Sequence, residues 1–284
     1  MINTEMLVIG GGLAGLAAAE EAAKMGVRVC LVEREHQLGG ILRQCLHHGF
    51  GCGQTGPEYI GDFFRGFPQS VDVLLGATVT SIDAGRTAVL RRANGEEQVH
   101  FEQCILATGA YEVPFGALGI AGTRPEGIMS AGRVQKMVHL EGTWPEEPVV
   151  ILGAGDLGLI MAATLAEHGL GVTVVEREEK VHALARNQEA AQLEKVRLIL
   201  GQSITYVHGE AQLSAVELSS GEGLDCRTLA VAVGLASERT LAKDRAEPWL
   251  HFAGNCEKIY PMVEGVIESG RRSARHALGG EKND

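Results

Sequence analysis

Two glycine patterns in this 284-residue chain have the spacing to hold a diphosphate. One is Gly10, Gly12 and Gly15, the other Gly153, Gly155 and Gly158, and both follow G-x-G-x-x-G. In that spacing the first glycine makes a tight turn, the second lets backbone approach a pyrophosphate, and the third packs a helix on a strand. Free N–H groups and the dipole at the helix start favour an anion there, which brings Leu13, Ala14, Asp156 and Leu157 beside it. Each pattern closes on an acid, Glu33 or Glu176, of the kind that accepts hydrogen bonds from ribose hydroxyls. Arg34 and Arg177 follow these acids directly. A third cluster, Cys45, His47, His48 and Cys52, lies in the loop from Gly39 to Gly53, and its spacing fits no familiar zinc pattern.

These residues need strands and helices in a fixed order, and the sequence writes that order twice. Leu7 to Arg34 (LVIGGGLAGLAAAEEAAKMGVRVCLVER) aligns without a gap on Val150 to Arg177 (VILGAGDLGLIMAATLAEHGLGVTVVER). An internal repeat decides architecture before residue chemistry does. Each copy opens on an apolar run suited to a buried parallel strand, Met6 to Ile9 and Val149 to Leu152. Helices are expected over Leu13 to Met25 and Leu157 to His168, stopped by Gly26 and Gly169. Second strands follow over Val29 to Glu33 and Val172 to Glu176. A lone G-x-G-x-x-G is a weak signal that a glycine-containing turn also produces; two copies with matching context are not.

Composition narrows the partners. A net charge of −11 argues against nucleic acid, which needs a basic footprint. With 45% hydrophobic and 21% charged residues the chain is globular, and its length suits two domains. Met1 to Met6 carries no Lys or Arg, so it is no secretory signal, and Leu7 to Ala19 is too short to span a bilayer. The expectation is a cytoplasmic protein without a membrane span. None of the six cysteines forms a C-x-x-C pair, which removes the usual ligand spacing for an iron-sulfur cluster or structural zinc.

Three further short strands end in glycine turns: Cys104 to Val113, through Ala107, Thr108 and Gly109; Leu229 to Gly234; and Leu250 to Asn255. The order GxGxxG, ATG, GxGxxG, AVG and a final Gly-Asn turn resembles the pyridine nucleotide-disulfide oxidoreductase superfamily over essentially the whole chain. The resemblance implies an α/β fold of two Rossmann-like dinucleotide-binding domains, the second inserted in the first. The layout is closer to thioredoxin reductase than to glutathione reductase, with no dimerisation domain. It implies an FAD domain over residues 1–118 and 237–284, and an NAD(H) domain over 119–236. The inserted domain would rotate on crossings near Gly119 to Gly127 and Gly234 to Leu241. FAD contacts carry over to Gly10, Gly12, Leu13, Ala14, Gly15, Glu33, Arg34, Gly40, Val79, Ala107, Thr108, Gly109 and Asn255. Nicotinamide-nucleotide contacts carry over to Gly153, Gly155, Asp156, Leu157, Gly158, Glu176 and Gly234. Asn255 departs from the family's Asp, bringing hydrogen bonds without charge. Glu176 favours NAD over NADP by repelling a 2′-phosphate; the Arg177 guanidinium next to it either accepts such a phosphate or is a solvated surface group.

The family often passes electrons to a cysteine pair, and this chain has neither of the family's arrangements. Its segment Gly39 to Gly53, with Gly122-Thr123-Arg124-Pro125 and Gly155-Asp156-Leu157-Gly158, resembles a subfamily found with glycerol-3-phosphate dehydrogenase-like and hydroxyproline or amine dehydrogenase flavoproteins. That resemblance implies an FAD-dependent NAD(H) oxidoreductase, the electron-transfer subunit beside a substrate-oxidising flavoprotein, an iron-sulfur protein or both. Cys45 and His47 would lie at the flavin, tuning it or exchanging a proton as the catalytic candidates. Otherwise Cys45 is a small buried residue and His47 a solvated one. Two other readings stand beside it: a self-sufficient disulfide or small-acceptor reductase using Cys45 with Cys52, and an FAD-binding assembly subunit that transfers no hydride.

Overall fold

A computed structural model describes residues 1–242 and 246–279. The chain divides into two compact units, Met1–Tyr111 together with the segment from Ala236 onward, and Glu112–Leu235. Each is built around one copy of the repeat.

In the first unit, strand Ile2–Ile9 pairs in parallel with Val29–Val32 on one side and with Gly95–Leu106 on the other. Asp72–Leu74 extends the sheet beyond Val29–Val32. The long strand Gly95–Leu106 serves two neighbours along its remaining edge. Its first half pairs antiparallel with Thr87–Arg92, and its last three residues pair in parallel with Leu250–Phe252. The returning C-terminal segment thus rejoins the sheet beside the Ala107-Thr108-Gly109 turn. With Thr78–Ile82 the described residues form a seven-stranded sheet.

Side chains alternate between two buried faces. Met6, Val8, Val29 and Leu31 pack under the helices Leu13–Lys24 and Val263–Ala277, while Leu7, Ile9, Cys30 and Val32 join Phe101 and Trp249 opposite. Burial on both faces is why these strands read as unbroken apolar runs. The two helices touch through glycine: a Cβ on Gly270 would stand 2.2 Å from the Ala14 carbonyl oxygen. Arg271 to Glu20 at 3.2 Å and Arg275 to Glu21 at 3.0 Å bridge them at the surface.

The second unit holds a parallel five-stranded sheet in the order Val196–Ile199, Val172–Val175, Val149–Leu152, Thr228–Val231, Ile128–Ser130. Helices Asp156–Glu167 and Ala131–Lys136 bury Leu159 and Val134 against Val149 and Ile151 on one face. A four-stranded sheet, Gly223–Asp225, Leu213–Leu218, Ile204–Gly209 and Ala121–Gly122, packs Val207 and Val216 against Val150 and Leu152 on the other.

The units divide between Tyr111 and Glu112, not after residue 118, and between Leu235 and Ala236. Packing decides the first position. Phe115, Leu118 and Ile120 join the second unit's core, and the Glu112 carboxylate accepts the Gly132 N–H at 2.8 Å. Gly119 to Gly127, expected as a crossing, therefore lies inside the second unit, where Ala121 and Gly122 pair with Tyr206 and Val207. In the expected third segment, residues 243–245 and 280–284 lie outside the described ones. Among the described residues no helix is long and apolar enough to cross a membrane.

Candidate functional site

The two glycine turns have the same geometry down to single hydrogen bonds. Gly10 and Gly153 both take φ +108°, a conformation that favours glycine, and their N–H groups donate at 2.8 Å to Val32 and Val175 respectively. A Cβ on Gly10 would lie 2.3 Å from the Ala107 carbonyl oxygen, and one on Gly153 2.6 Å from that of Ala232. A Cβ on Gly15 would lie 1.9 Å from the Gly10 oxygen, and one on Gly158 2.0 Å from the Gly153 oxygen. Helix and strand can meet this closely only because side chains are missing. The small residues Ala107 and Ala232 complete each contact, their N–H groups donating at 2.8 Å to Ile9 and Leu152.

Gly12 and Gly155 are the N-caps of helices Leu13–Lys24 and Asp156–Glu167, and no side chain caps either helix. The first-turn N–H groups of Leu13, Ala14 and Gly15, and of Asp156, Leu157 and Gly158, thus form two bare helix starts of the kind that binds anions. In the first unit a further pair narrows the approach: Gly39 donates to the Gly11 oxygen at 2.8 Å, and a Cβ on Gly40 would stand 3.0 Å from the Gly12 Cα. Backbone alone forms this cradle, and it fits a diphosphate.

The acids repeat as well. Glu33, buried, accepts the N–H of Gly11 at 2.7 Å and of Glu35 at 2.8 Å, one on each oxygen. Glu176 accepts Ala154 at 2.8 Å and Glu178 at 3.0 Å in the same way. Each carboxylate oxygen retains lone-pair capacity, so these acids are fixed at the strand ends and still able to accept ribose hydroxyls. Arg34 and Arg177 are exposed, beside Glu35 at 3.4 Å and Glu178 at 3.2 Å.

The other expected contacts scatter more. Thr108 donates to the Glu238 carbonyl at 2.6 Å, and Gly109 adopts φ +78°. Asn255 lies in the turn Gly254–Cys256, where its Oδ1 accepts the Tyr260 N–H at 3.0 Å. The Ala14 side chain meets Gly254, and Val79 faces the core opposite Leu90, so both offer a cofactor backbone only. Asp156 spends one carboxylate oxygen on Leu184 N–H at 2.8 Å and Asn187 Nδ2 at 2.6 Å. Leu157 packs against the second unit's core, and the Gly234 oxygen accepts the Val113 N–H at 3.1 Å.

Cys45 is buried at the end of the short helix Gly40–Gln44, its Sγ 3.4 Å from the Ile41 oxygen. Gly56 packs on it, donating to the Cys45 oxygen at 2.8 Å. The His47 ring lies 5.2 Å from that of Phe50, His48 Nδ1 lies 2.9 Å from the Gly53 oxygen, and Cys52 is exposed. Cys45 and Cys52 therefore sit in unlike surroundings. Burial pushes the Cys30 and Cys226 thiols up to about 12 and the Cys104 thiol up as well, which leaves them protonated and inert.

Sequence reasoning missed the polar frame around the Asn255 turn. Glu257 accepts from Ser269 at 2.6 Å, Tyr260 at 2.8 Å and Arg272 at 2.8 Å, while Ser269 Oγ accepts the Gly254 N–H at 2.9 Å. Cys256 Sγ lies 3.2 Å from Thr108 Oγ1, and Arg239 donates to the oxygens of Cys256 and Glu257. Thr108 and Cys256 are 148 positions apart, a separation that no local pattern reveals.

Each unit thus carries one glycine turn with a strand-end acid on its own sheet, mixed in the first unit and parallel in the second, which makes two candidate dinucleotide sites. The family model described as pyridine nucleotide-disulphide oxidoreductase matches residues 4–249, and the chain belongs to that family of FAD-dependent oxidoreductases that use NAD(P). It is 32% identical, over 96% of its length and 70% of the relative's, to hydrogen cyanide synthase subunit HcnB of Pseudomonas protegens. It is also 32% identical to one of the opine oxidase subunits of Agrobacterium tumefaciens, over 58% of this chain but 35% of that one. The fold matches thioredoxin reductase of T. acidophilum at TM-score 0.79 and 18% identity, covering 98% of this chain and 99% of that one.

Proposed function

We propose that the first unit takes FAD, the second takes NAD(H), and the chain is the electron-transfer subunit of a multi-subunit dehydrogenase of amino acids, amines or glycerol phosphate. The cofactors, when bound, supply the chemistry, hydride exchange between nicotinamide C4 and flavin N5. The chain's residues orient and hold them. Backbone N–H groups at Leu13 to Gly15 and at Asp156 to Gly158 take the diphosphates; Glu33 and Glu176 take the adenosine riboses. Asn255, Thr108 and Gly109 would hold the flavin's side chain, and Cys45 and His47 would lie at its ring. Glu176 selects NAD, since a 2′-phosphate beside a fixed carboxylate is repelled. The lack of a C-x-x-C pair in the chain supports a substrate-oxidising partner, because electrons then leave to another protein. Both HcnB and the opine oxidase relative carry the word subunit in their names.

The observation that carries this reading is the duplicated constellation of positive-φ glycine, uncapped helix start and buried or half-buried acid. The visible spectrum of the purified chain tests it, before and after anaerobic NADH and, separately, NADPH. Bound flavin bleached by NADH and not by NADPH supports the full reading. A flavin that neither nucleotide bleaches overturns hydride transfer and leaves the assembly role.

A further inference from the structure

A cavity of about 380 Å³ opens within the second unit at the C-terminal ends of strands Ile128–Ser130 and Thr228–Val231. Its walls are apolar, with Val113, Phe115, Met129 and Val231 among them, except for two side chains, Glu112 and Ser130. Neither belongs to the glycine patterns or to the acids that close them.

Both polar groups are fixed by the same helical turn. Glu112 Oε1 accepts the Gly132 N–H at 2.8 Å, and Ser130 Oγ accepts the Arg133 N–H at 3.2 Å. Gly132 makes room for the carboxylate, since a Cβ there would lie 2.6 Å from Glu112 Oε2. One wall thus presents a carboxylate oxygen that can only accept and a hydroxyl that keeps a proton to donate. A primary carboxamide has the matching pair, an NH₂ donor and a C=O acceptor.

The cavity also lies where such a group would arrive. Val149–Leu152, which leads into the second glycine turn, pairs with Thr228–Val231 on one side and with Val172–Val175 on the other. Glu176 therefore stands about one strand spacing, about 4.8 Å, to one side of the turn. The cavity stands one to two spacings to the other side. A dinucleotide whose diphosphate rests on Gly155 and whose adenosine ribose meets Glu176 must send its other half toward Glu112.

We infer that Glu112 and Ser130 form the carboxamide seat of the nicotinamide, with Glu112 accepting from the amide NH₂, Ser130 donating to its oxygen, and Met129 and Val231 against the ring. This rests on the reading of the second unit as a nicotinamide-nucleotide domain. The seat selects a neutral carboxamide and rejects the corresponding acid, whose carboxylate would face that of Glu112.

Calorimetric titration of the full chain tests it with three ligands: NAD⁺, its nicotinic acid analogue, and ADP-ribose, which lacks the ring altogether. In Glu112→Gln the side-chain oxygen goes to Gly132 N–H and the amide turns a donor on the incoming NH₂. NAD⁺ should bind about tenfold more weakly, the loss of one hydrogen bond to a charged acceptor. The nicotinic acid analogue should bind more tightly than to the unaltered chain, and ADP-ribose should bind unchanged. Ser130→Ala should weaken NAD⁺ and spare ADP-ribose, an independent check if the first variant folds poorly. Equal changes for all three ligands, or none, overturn the seat while leaving the domain's role intact. Failure of the unaltered chain to bind ADP-ribose overturns the reading of the second unit, and the seat with it.

Discussion

Replacing the third glycine of each turn separates the two sites. In Gly158→Ala the new Cβ would stand 2.0 Å from the Gly153 oxygen and 3.5 Å from the Ala232 Cβ. Real Cβ atoms stay beyond 3.0 Å of such atoms, so helix Asp156–Glu167 must retreat from its strand by about 1 Å. Overpacking of this kind costs about 1–3 kcal/mol, less than the stability of an ordinary domain, so the unit stays folded. The retreat carries the helix-start N–H groups with it. A donor moved from about 2.9 to about 3.9 Å no longer makes a hydrogen bond. Each bond to a charged group contributes about 1.5–3 kcal/mol, and losing two weakens nucleotide binding by at least about a hundredfold. Gly15→Ala, with its Cβ 1.9 Å from the Gly10 oxygen, should do the same to the flavin. The assay is flavin absorbance per protein after gel filtration, with calorimetric titration by ADP-ribose. Gly158→Ala should keep its flavin and lose ADP-ribose; Gly15→Ala should lose its flavin. If Gly158→Ala sheds flavin as readily as Gly15→Ala and still binds ADP-ribose, the assignment of one dinucleotide to each turn is refuted.

Other perturbations test the remaining parts. Glu33→Gln leaves one acceptor oxygen for two N–H groups, Gly11 and Glu35, so a donor loses its partner at about 1–3 kcal/mol, and flavin retention after gel filtration should fall. Glu176→Gln removes the charge that repels a 2′-phosphate, and the ratio of NADPH to NADH affinity measured by titration should rise, with Arg177 next in sequence to help. Cys45→Ala should shift the flavin's reduction potential in a dye-coupled titration if the thiol faces the ring, whereas Cys52→Ala, altering an exposed residue, should leave it unchanged. Burial, and secondarily the His276 ring, hold His251 down to about 4. Above pH 6.5 the ring is neutral folded or unfolded and costs nothing. Between pH 6.5 and 4 only the unfolded chain takes up the proton, so stability falls, by about 1–2 kcal/mol once screening of the half-buried ring is allowed for. Chemical denaturation at pH 7 and pH 4.5 should show a smaller loss in His251→Gln than in the unaltered chain.

Much of the site was legible because its chemistry is local. A glycine at φ +108°, a helix start and an acid at a strand end fall within 24 residues, from Gly10 to Glu33 and again from Gly153 to Glu176, and each demands a particular residue type. Repetition turned two weak patterns into a strong one. The boundary between units was less legible. Residues 112–118 could join either unit on composition, and tertiary contacts assign them: Phe115 and Leu118 pack on the second unit's core and Glu112 accepts the Gly132 N–H. The frame around Asn255 was invisible for a different reason. Glu257 meets Ser269 and Arg272 across a turn, and Thr108 meets Cys256 from a distant strand end, so no spacing along the chain encodes them.

The same distinction explains why Glu112 escaped notice. Next to a turn already assigned, it reads as an ordinary surface acid following Tyr111, and Gly132 reads as an ordinary small residue in a helix. Their meaning appears only together: the glycine is small because the carboxylate lies against it, and the carboxylate is held because the helix start offers an N–H at 2.8 Å. Sequence patterns locate the part of a dinucleotide site that lies at the repeated turn, the diphosphate and the adenosine ribose with its closing acid. On the reading proposed above, the nicotinamide end meets side chains brought from other strands, Ala110–Glu112 and Ile128–Ser130. Selectivity for the reacting ring is therefore a property of tertiary packing, and it should change with residues at 112, 130 and 132 while the shared turn at 153–158 stays untouched.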